Sequence, residues 1–174
     1  MIITSNYNTP YGELIIGSFE DKLCLCDWRY RKMRNAVDKR IQTGLGIKYA
    51  EGNSDVIENT RQQLTEYFNQ DRTEFDIPLL FPGSDFQQKV WETLMEIPYG
   101  QTETYLGLSK KLENDKAIRA VSSANGANAI AIIVPCHRII GSDGKLVGYA
   151  GGLDVKRRLL KLEGVNIHGQ LSLF

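Results

Sequence analysis

Thr104-Tyr105-Leu106-Gly107-Leu108-Ser109-Lys110-Lys111-Leu112-Glu113-Asn114-Asp115-Lys116-Ala117-Ile118-Arg119-Ala120-Val121-Ser122-Ser123-Ala124 is the stretch that decides how this 174-residue chain is read. A helix from Thr104 turns Leu108 and Leu112 inward, Asn114-Asp115 forms a turn and N-cap, and a second helix spans Lys116–Ala124. Two short helices joined by a tight polar turn fit a helix-turn-helix. The second helix is built largely of Ala and Ser with one Arg, Arg119, so it offers few long polar side chains to read base edges. Such a surface suits close approach to a narrow groove, and equally close helix–helix packing.

Upstream, Ser84-Asp85-Phe86-Gln87 is a capping box opening a helix with Phe86, Val90, Leu94 and Ile97 on one face, stopped at Pro98-Tyr99-Gly100. Downstream, Ile133-Val134-Pro135-Cys136-His137-Arg138-Ile139-Ile140 places a thiol, an imidazole and a guanidinium in apolar surroundings. Charged and titratable groups are costly to hide without partners. Pro135 stiffens the backbone entering Cys136. Neighbouring His and Arg favour a thiolate, so Cys136 reads as a nucleophile; the plainer reading is a packed core cysteine. Asp143-Gly144 signals a hairpin turn, and Gly148–Gly152 a loop where backbone can approach a ligand closely. A last helix runs from Leu153 to Glu163, with Val155, Leu159 and Leu162 on one face, and ends at Gly164. The helix dipole disfavours a carboxylate at that end. Glu163 therefore calls for a specific partner, and His137 is the obvious one.

The N-terminal part looks like scaffold. Leu14–Gly17 and Leu23–Trp28 read as strands joined by a turn at Glu20-Asp21, and Asn53–Asn69 as a helix. Phe75–Leu79 reads as a third, edge-like strand. The polar stretch 29–52 reads as loop with partial helix. The chain divides near Phe81-Pro82-Gly83 into an N-terminal α/β domain over 1–80, a C-terminal domain over 84–166 and a tail over 167–174. The class is α/β, more closely α+β.

Formal net charge is zero, but residues 1–83 carry 10 basic and 12 acidic side chains, and residues 84–174 carry 11 and 9. That is a slight lean towards an anionic partner in the second half, far short of a basic stripe. Three cysteines do not make a disulfide framework. Neither a leader nor a membrane span is visible. An intracellular, cytoplasmic setting is expected, where a free thiol persists. Cys24 and Cys26 share one face of a strand and fit core packing. With Cys136, His137 and His168 they are the only Cys and His metal-ligand candidates, and none has zinc spacing, so neither a metal nor a cofactor is expected.

Pro135-Cys136-His137-Arg138-Ile139-Ile140 resembles the active-site signature of the O6-alkylguanine-DNA alkyltransferases. The resemblance extends over residues 84–164. It includes Phe86-Gln87, Val90-Trp91, Pro98-x-Gly100, Thr104-Tyr105, Ala117-x-Arg119-Ala120-Val121, Ala124-Asn125-Gly126, Asn128, Tyr149-x-Gly151-Gly152 and Glu163-Gly164. It implies a ribonuclease-H-like sheet-and-helix domain followed by a mostly helical, winged helix-turn-helix-like domain. The implied activity is a DNA repair methyltransferase that flips O6-alkylguanine, and by extension O4-alkylthymine, out of the duplex. The alkyl group then passes once and irreversibly to Cys136. His137 would be the general base, acting through a water, with Glu163 orienting it and Asn128 as hinge. Tyr105 would rotate the nucleotide outward and assist protonation of the leaving guanine, while Arg119 fills the vacated stack. Ala120 lies on the recognition helix, and Arg138 joins the substrate- and DNA-binding set. Backbone groups of Cys136, Ile139, Tyr149, Ala150 and Gly151 would meet the flipped base. The partner implied is double-stranded DNA, bound by a monomer through the minor groove with little sequence specificity.

The chain departs from the family pattern at Ala129, where Pro usually follows the hinge Asn, at Ser122-Ser123 and at Leu162. The zinc-binding His residues of some members are absent from the N-terminal part. Two other classes share parts of this pattern. A thiol hydrolase would use the same Cys136, His137 and Glu163, and a winged-helix DNA-binding regulator would need no reactive thiol.

Overall fold

In the computed structural model, which describes residues 1–167, the chain forms two compact units, Met1–Ser84 and a second beginning at Asp85. The expected tail over 167–174 and His168 lie, apart from Ile167, outside the described residues.

The first unit is built on a four-stranded sheet. Strands β1 (Ile2–Thr9), β2 (Gly12–Phe19) and β3 (Lys22–Trp28) form an antiparallel meander, and β4 (Tyr49–Glu51) adds parallel to β1, giving the order β3-β2-β1-β4. The turn between β2 and β3 uses Glu20 and Asp21, both with positive φ (48° and 62°), as a hairpin turn that matches strand twist requires. Helix α1 (Arg34–Leu45) ends at Gly46, whose φ of 66° is the left-handed cap glycine favours. Helix α2 (Asp55–Phe68) starts where the Ser54 hydroxyl accepts from the Ile57 amide, and it buries Ile57, Thr60, Gln63, Leu64 and Tyr67. Cys24 and Cys26 are fully buried on β3, as core residues.

Phe75–Leu79 is not a strand. It makes a single bridge, Leu23 to Leu79; Gln63 accepts from the Asp76 amide and donates to the Asp76 carbonyl, and the Phe75 ring packs against Tyr67. Pro78 has no N–H to offer a ladder, so pairing stops there.

The second unit is helical. Helix α3 (Asp85–Leu94) begins directly after Ser84 and buries Val90, Trp91 and Leu94. Phe86, expected inward, is 37% exposed; the inward stripe begins one turn later, and Trp91 joins it. The Trp91 indole donates to the Ala124 carbonyl at 2.8 Å, pinning α3 to α5 (Ile118–Gly126). Strand β5 (Glu103–Thr104) leads into α4 (Tyr105–Lys111), where the Thr104 hydroxyl caps the Gly107 amide and Leu108 is buried, with Leu112 buried just beyond. Helix α5 starts two residues later than expected. Its N-cap is Ala117, without a side-chain cap, while Asn114 serves only the turn, its carbonyl accepting from the Ala117 amide.

Strand β6 (Ile139–Ile140) pairs parallel with β5, so the expected wing is two residues per strand. Asp143-Gly144 makes a tight loop closed by Gly141 N–H to Lys145 O, not a hairpin between strands. Helix α6 (Leu153–Leu162) buries Lys156, Leu159 and Leu160; Val155 and Leu162, expected inward, are only half-buried. Among the described residues no helix is long and apolar enough to cross a membrane.

Candidate active site

Cys136, His137 and Arg138 form one tight 3-10 turn between Pro135 and β6, and all three are buried. The turn closes by Arg138 N–H to Pro135 O, which sends three consecutive side chains in different directions. Asn128 holds the sulfur end. Its side-chain amide lies 3.3 Å from Cys136 Sγ, 3.0 Å from the Val134 carbonyl and 3.3 Å from the Ile130 carbonyl, and its Oδ1 accepts from the Ile130 amide. One carboxamide thus ties the end of α5 to the reactive turn. Between them Ile132 sits at φ 70°, an outlier for a β-branched residue.

His137 is fully buried and its Nε2 lies 2.7 Å from Glu163 Oε2. Glu163 caps the C-terminus of α6, and the partner expected for it is in place. Arg138, expected at the substrate and DNA face, is turned inward instead. Its Nε donates to Glu163 Oε1 at 2.8 Å, its Nη2 to Oε2 at 3.2 Å and its Nη1 to the Ile97 carbonyl at 2.6 Å. The physical reason is charge: a buried carboxylate beside a neutral imidazole needs a cation, and the forked guanidinium supplies it bidentately. Tyr99 lies against the guanidinium and donates to the Leu162 carbonyl, closing this side.

The electrostatics give each group a form. Burial alone would raise Glu163, but hydrogen bonding and charge from His137 and Arg138 outweigh it and hold the carboxyl at about 2. Burial pushes His137 below its usual 6.5, against the pull of Glu163, with Arg138 and Lys156 adding to the depression. The consistent state is a neutral imidazole donating Nε2–H to an ionised Glu163. Its Nδ1, which has no protein hydrogen-bond partner, then carries the lone pair a base requires.

The remaining predicted residues lie on several elements. Tyr105, half-buried at the start of α4, has its hydroxyl 3.5 Å from the Val147 carbonyl. Burial, and then the Cys136 charge, raise its phenol pKa, keeping it a donor. Arg119 and Ala120 are exposed on the first turn of α5. Ile139 is buried in β6. Tyr149, Ala150 and Gly151 are half-buried in the loop before α6, with the Tyr149 ring edge-on to His137 at 6.4 Å.

Sequence reasoning missed Lys156, fully buried on α6 with Nζ 3.1 Å from both the Val147 and Gly148 carbonyls. The available signal was its spacing of three and four residues before Leu159 and Leu160, on the buried stripe. Among the described residues no three His, Cys, Asp or Glu side chains gather to hold a metal.

Acid should dismantle this site. Both Glu163 and His137 have folded pKa values below their unfolded ones, so each contributes stability above its unfolded pKa that is lost as pH falls. Urea unfolding midpoints are expected to drop first below about pH 6.5 through His137, and again from about 4.5 towards 2 through Glu163. Glu163→Gln should flatten the lower part. It should also cost about 3–5 kcal/mol at neutral pH, because it leaves the Arg138 cation buried without its carboxylate. An unchanged profile would place the stabilising charges elsewhere.

Comparison with known proteins follows the two units. Residues 2–81 match the family description "6-O-methylguanine DNA methyltransferase, ribonuclease-like domain" and residues 85–165 match "6-O-methylguanine DNA methyltransferase, DNA binding domain". The chain is 53% identical over 159 residues to a methylated-DNA–protein-cysteine methyltransferase of Methanosarcina acetivorans, covering 91% of this chain and 96% of the relative. It is 41% identical over 177 residues to the protein of the same name from Mycobacterium leprae, covering 100% and 99%. Among solved structures, the O6-methylguanine methyltransferase of Mycobacterium tuberculosis superposes with a TM-score of 0.79 at 37% identity, covering 100% and 99% of the two chains. Mycobacterium tuberculosis OGT in complex with DNA gives 0.79 at 38% identity, with 92% of each chain covered.

Proposed function

Because this chain belongs to the 6-O-methylguanine DNA methyltransferase family, we propose that it repairs DNA by moving the alkyl group of O6-alkylguanine onto its own Cys136. The observation that carries the reading is the Cys136 sulfur beside Asn128, on the same turn as a His137–Glu163–Arg138 relay. The His137 Nδ1 accepts the thiol proton through a water. The thiolate attacks the alkyl carbon, the S–C bond forms as the C–O6 bond breaks, and the electron pair leaves on guanine. Tyr105, kept protonated, supplies a proton to the departing base. Arg138 is a positioning residue in this scheme: it keeps Glu163 ionised and oriented against His137, while its own charge joins burial in favouring the neutral imidazole.

The partner is double-stranded DNA, met by a monomer at the minor groove. The exposed Ala120 and Arg119 on α5 favour that assignment, since small side chains allow close approach and one long cation can enter the stack. The reacting atom is out of reach inside a duplex, so the nucleotide must be extruded, and the backbone of Cys136, Ile139, Tyr149, Ala150 and Gly151 meets its edge. The direct test is duplex DNA carrying a labelled O6-methyl group, with the label then sought on Cys136.

Flipping and chemistry separate experimentally. Arg119→Ala should slow repair of duplex DNA, because vacating the stack costs a few kcal/mol that the inserted side chain partly offsets. Free O6-benzylguanine needs no extrusion, so its reaction with Cys136 should keep its rate. Equal slowing of both would make Arg119 a support of the fold.

A further inference from the structure

The slightly acidic balance of the N-terminal half hides a strong local charge. Seven of the ten basic side chains of residues 1–83 fall within residues 29–48, with Asp38 as the one acidic residue among them. Part of that charge is neutralised inside the fold. Arg31 and Arg34 both reach the fully buried Asp27 at 3.0 Å, and Arg34 also forks onto Asp38. Two of the remaining cations line a groove of about 580 Å³ between α1 and the chain that returns into β4. Asn35, Lys39 and Thr43 recur every fourth residue, so they stand one above another on the helix wall. Lys48 and Tyr49 belong to the facing wall. Gln42 ties the two walls together, its Oε1 accepting from the Tyr49 amide at 3.1 Å, so the groove is formed before anything occupies it.

Electrostatically the groove is one-sided. Asp38, its only carboxylate, is already paired with Arg34 and accepts from the Tyr49 hydroxyl at 2.9 Å. Lys39 and Lys48 are exposed, and among the described residues no carboxylate pairs with either. Free carbonyls at the end of α1 would repel an anion, but those of Gln42 and Thr43 accept from the Ile47 and Gly46 amides. We propose that this groove is a phosphate-binding site, with Lys39 and Lys48 as its cations and the Asn35 carboxamide and Thr43 hydroxyl as neutral donors. A phosphate carries several acceptor oxygens around one centre, which suits two ammonium groups with two neutral donors beside them. The volume lies within the about 300–1,000 Å³ of small-molecule sites, so a free nucleotide fits it as well as one phosphate of a DNA backbone. The first unit contains none of the residues assigned to alkyl transfer, so the inference does not depend on that reading.

The test uses the full chain with Lys39→Ala and Lys48→Ala combined. Its control combines Lys22→Ala and Lys32→Ala, exposed lysines that do not line the groove. Both double variants should melt near the wild-type temperature, since exposed lysines contribute little to stability. ADP, titrated calorimetrically, should bind wild type and control alike, and the groove variant about tenfold more weakly or worse. Unmodified duplex DNA, titrated across a salt series, gives the second arm. A log–log slope shallower by about 1–2 in the groove variant alone places a backbone phosphate in the groove. A loss confined to ADP assigns the site to free nucleotides, and a change confined to the slope assigns it to DNA. A groove variant that matches wild type in both arms overturns the proposal. So does a control variant that shifts either arm as much, because the effect is then one of net charge. If the alanine pair melts lower, Lys39→Gln with Lys48→Gln is read by the same two arms.

Discussion

Incubated with an excess of duplex DNA carrying O6-methylguanine, each molecule should gain the mass of one methyl group, on Cys136, and then stop. The limit is chemical: a thioether carbon–sulfur bond has no leaving group at neutral pH, so the acceptor is spent by its own reaction. The other two thiols do not compete. Burial pushes Cys24 up to about 12, and burial with the neighbouring Asp27 charge pushes Cys26 higher still, so neither supplies thiolate at pH 7. Cys136→Ala should abolish the mass gain completely. Repeated turnover would favour a thiol hydrolase using the same His137 and Glu163. Full function without the sulfur would favour a DNA-binding regulator.

Replacing His137 with Ala should slow the transfer by about 10²–10⁴-fold, the range of a general base, while DNA affinity stays near that of the wild type. Affinity is spared because His137 is fully buried, and the surface proposed to meet DNA includes the exposed Arg119 and Ala120 on a different helix. Single-turnover rates at saturating DNA, with a separate binding isotherm, divide the two effects. A matched loss of binding and rate would make His137 a packing residue. Wild-type protein should also lose rate as pH falls below 6.5, since protonation of an imidazole already depressed by burial removes the base.

Much of this is legible in the amino-acid sequence alone. The helix-turn-helix was visible because Thr104 is a good cap and Leu108 and Leu112 keep helical spacing. The Glu163–His137 pair was visible because a carboxylate at a helix C-terminus is electrostatically misplaced without a partner. Strand β1 was not read, although it is paired on both sides, because Asn6 and Asn8 weaken its propensity and the β2 and β4 pairing that holds it is non-local. The inward turn of Arg138 and the burial of Lys156 were illegible for the same reason. A cation reads as surface until the groups that satisfy it are known, and here those are a carboxylate 25 residues away and two loop carbonyls. Phe86 misled in the opposite sense, as an apolar residue on a helix whose buried face starts later.

The relay is also spread unevenly along the order of synthesis. Cys136 and His137, its proposed base, emerge together, but the Glu163 carboxylate that hydrogen-bonds His137 comes 26 residues later, at the end of α6. At about 5–20 residues per second, a growing chain carries the acceptor for one to several seconds before its activating partner exists. For a group that the proposed reaction uses only once, that delay is protective: the sulfur gains its proposed assistance only after α6 has been made.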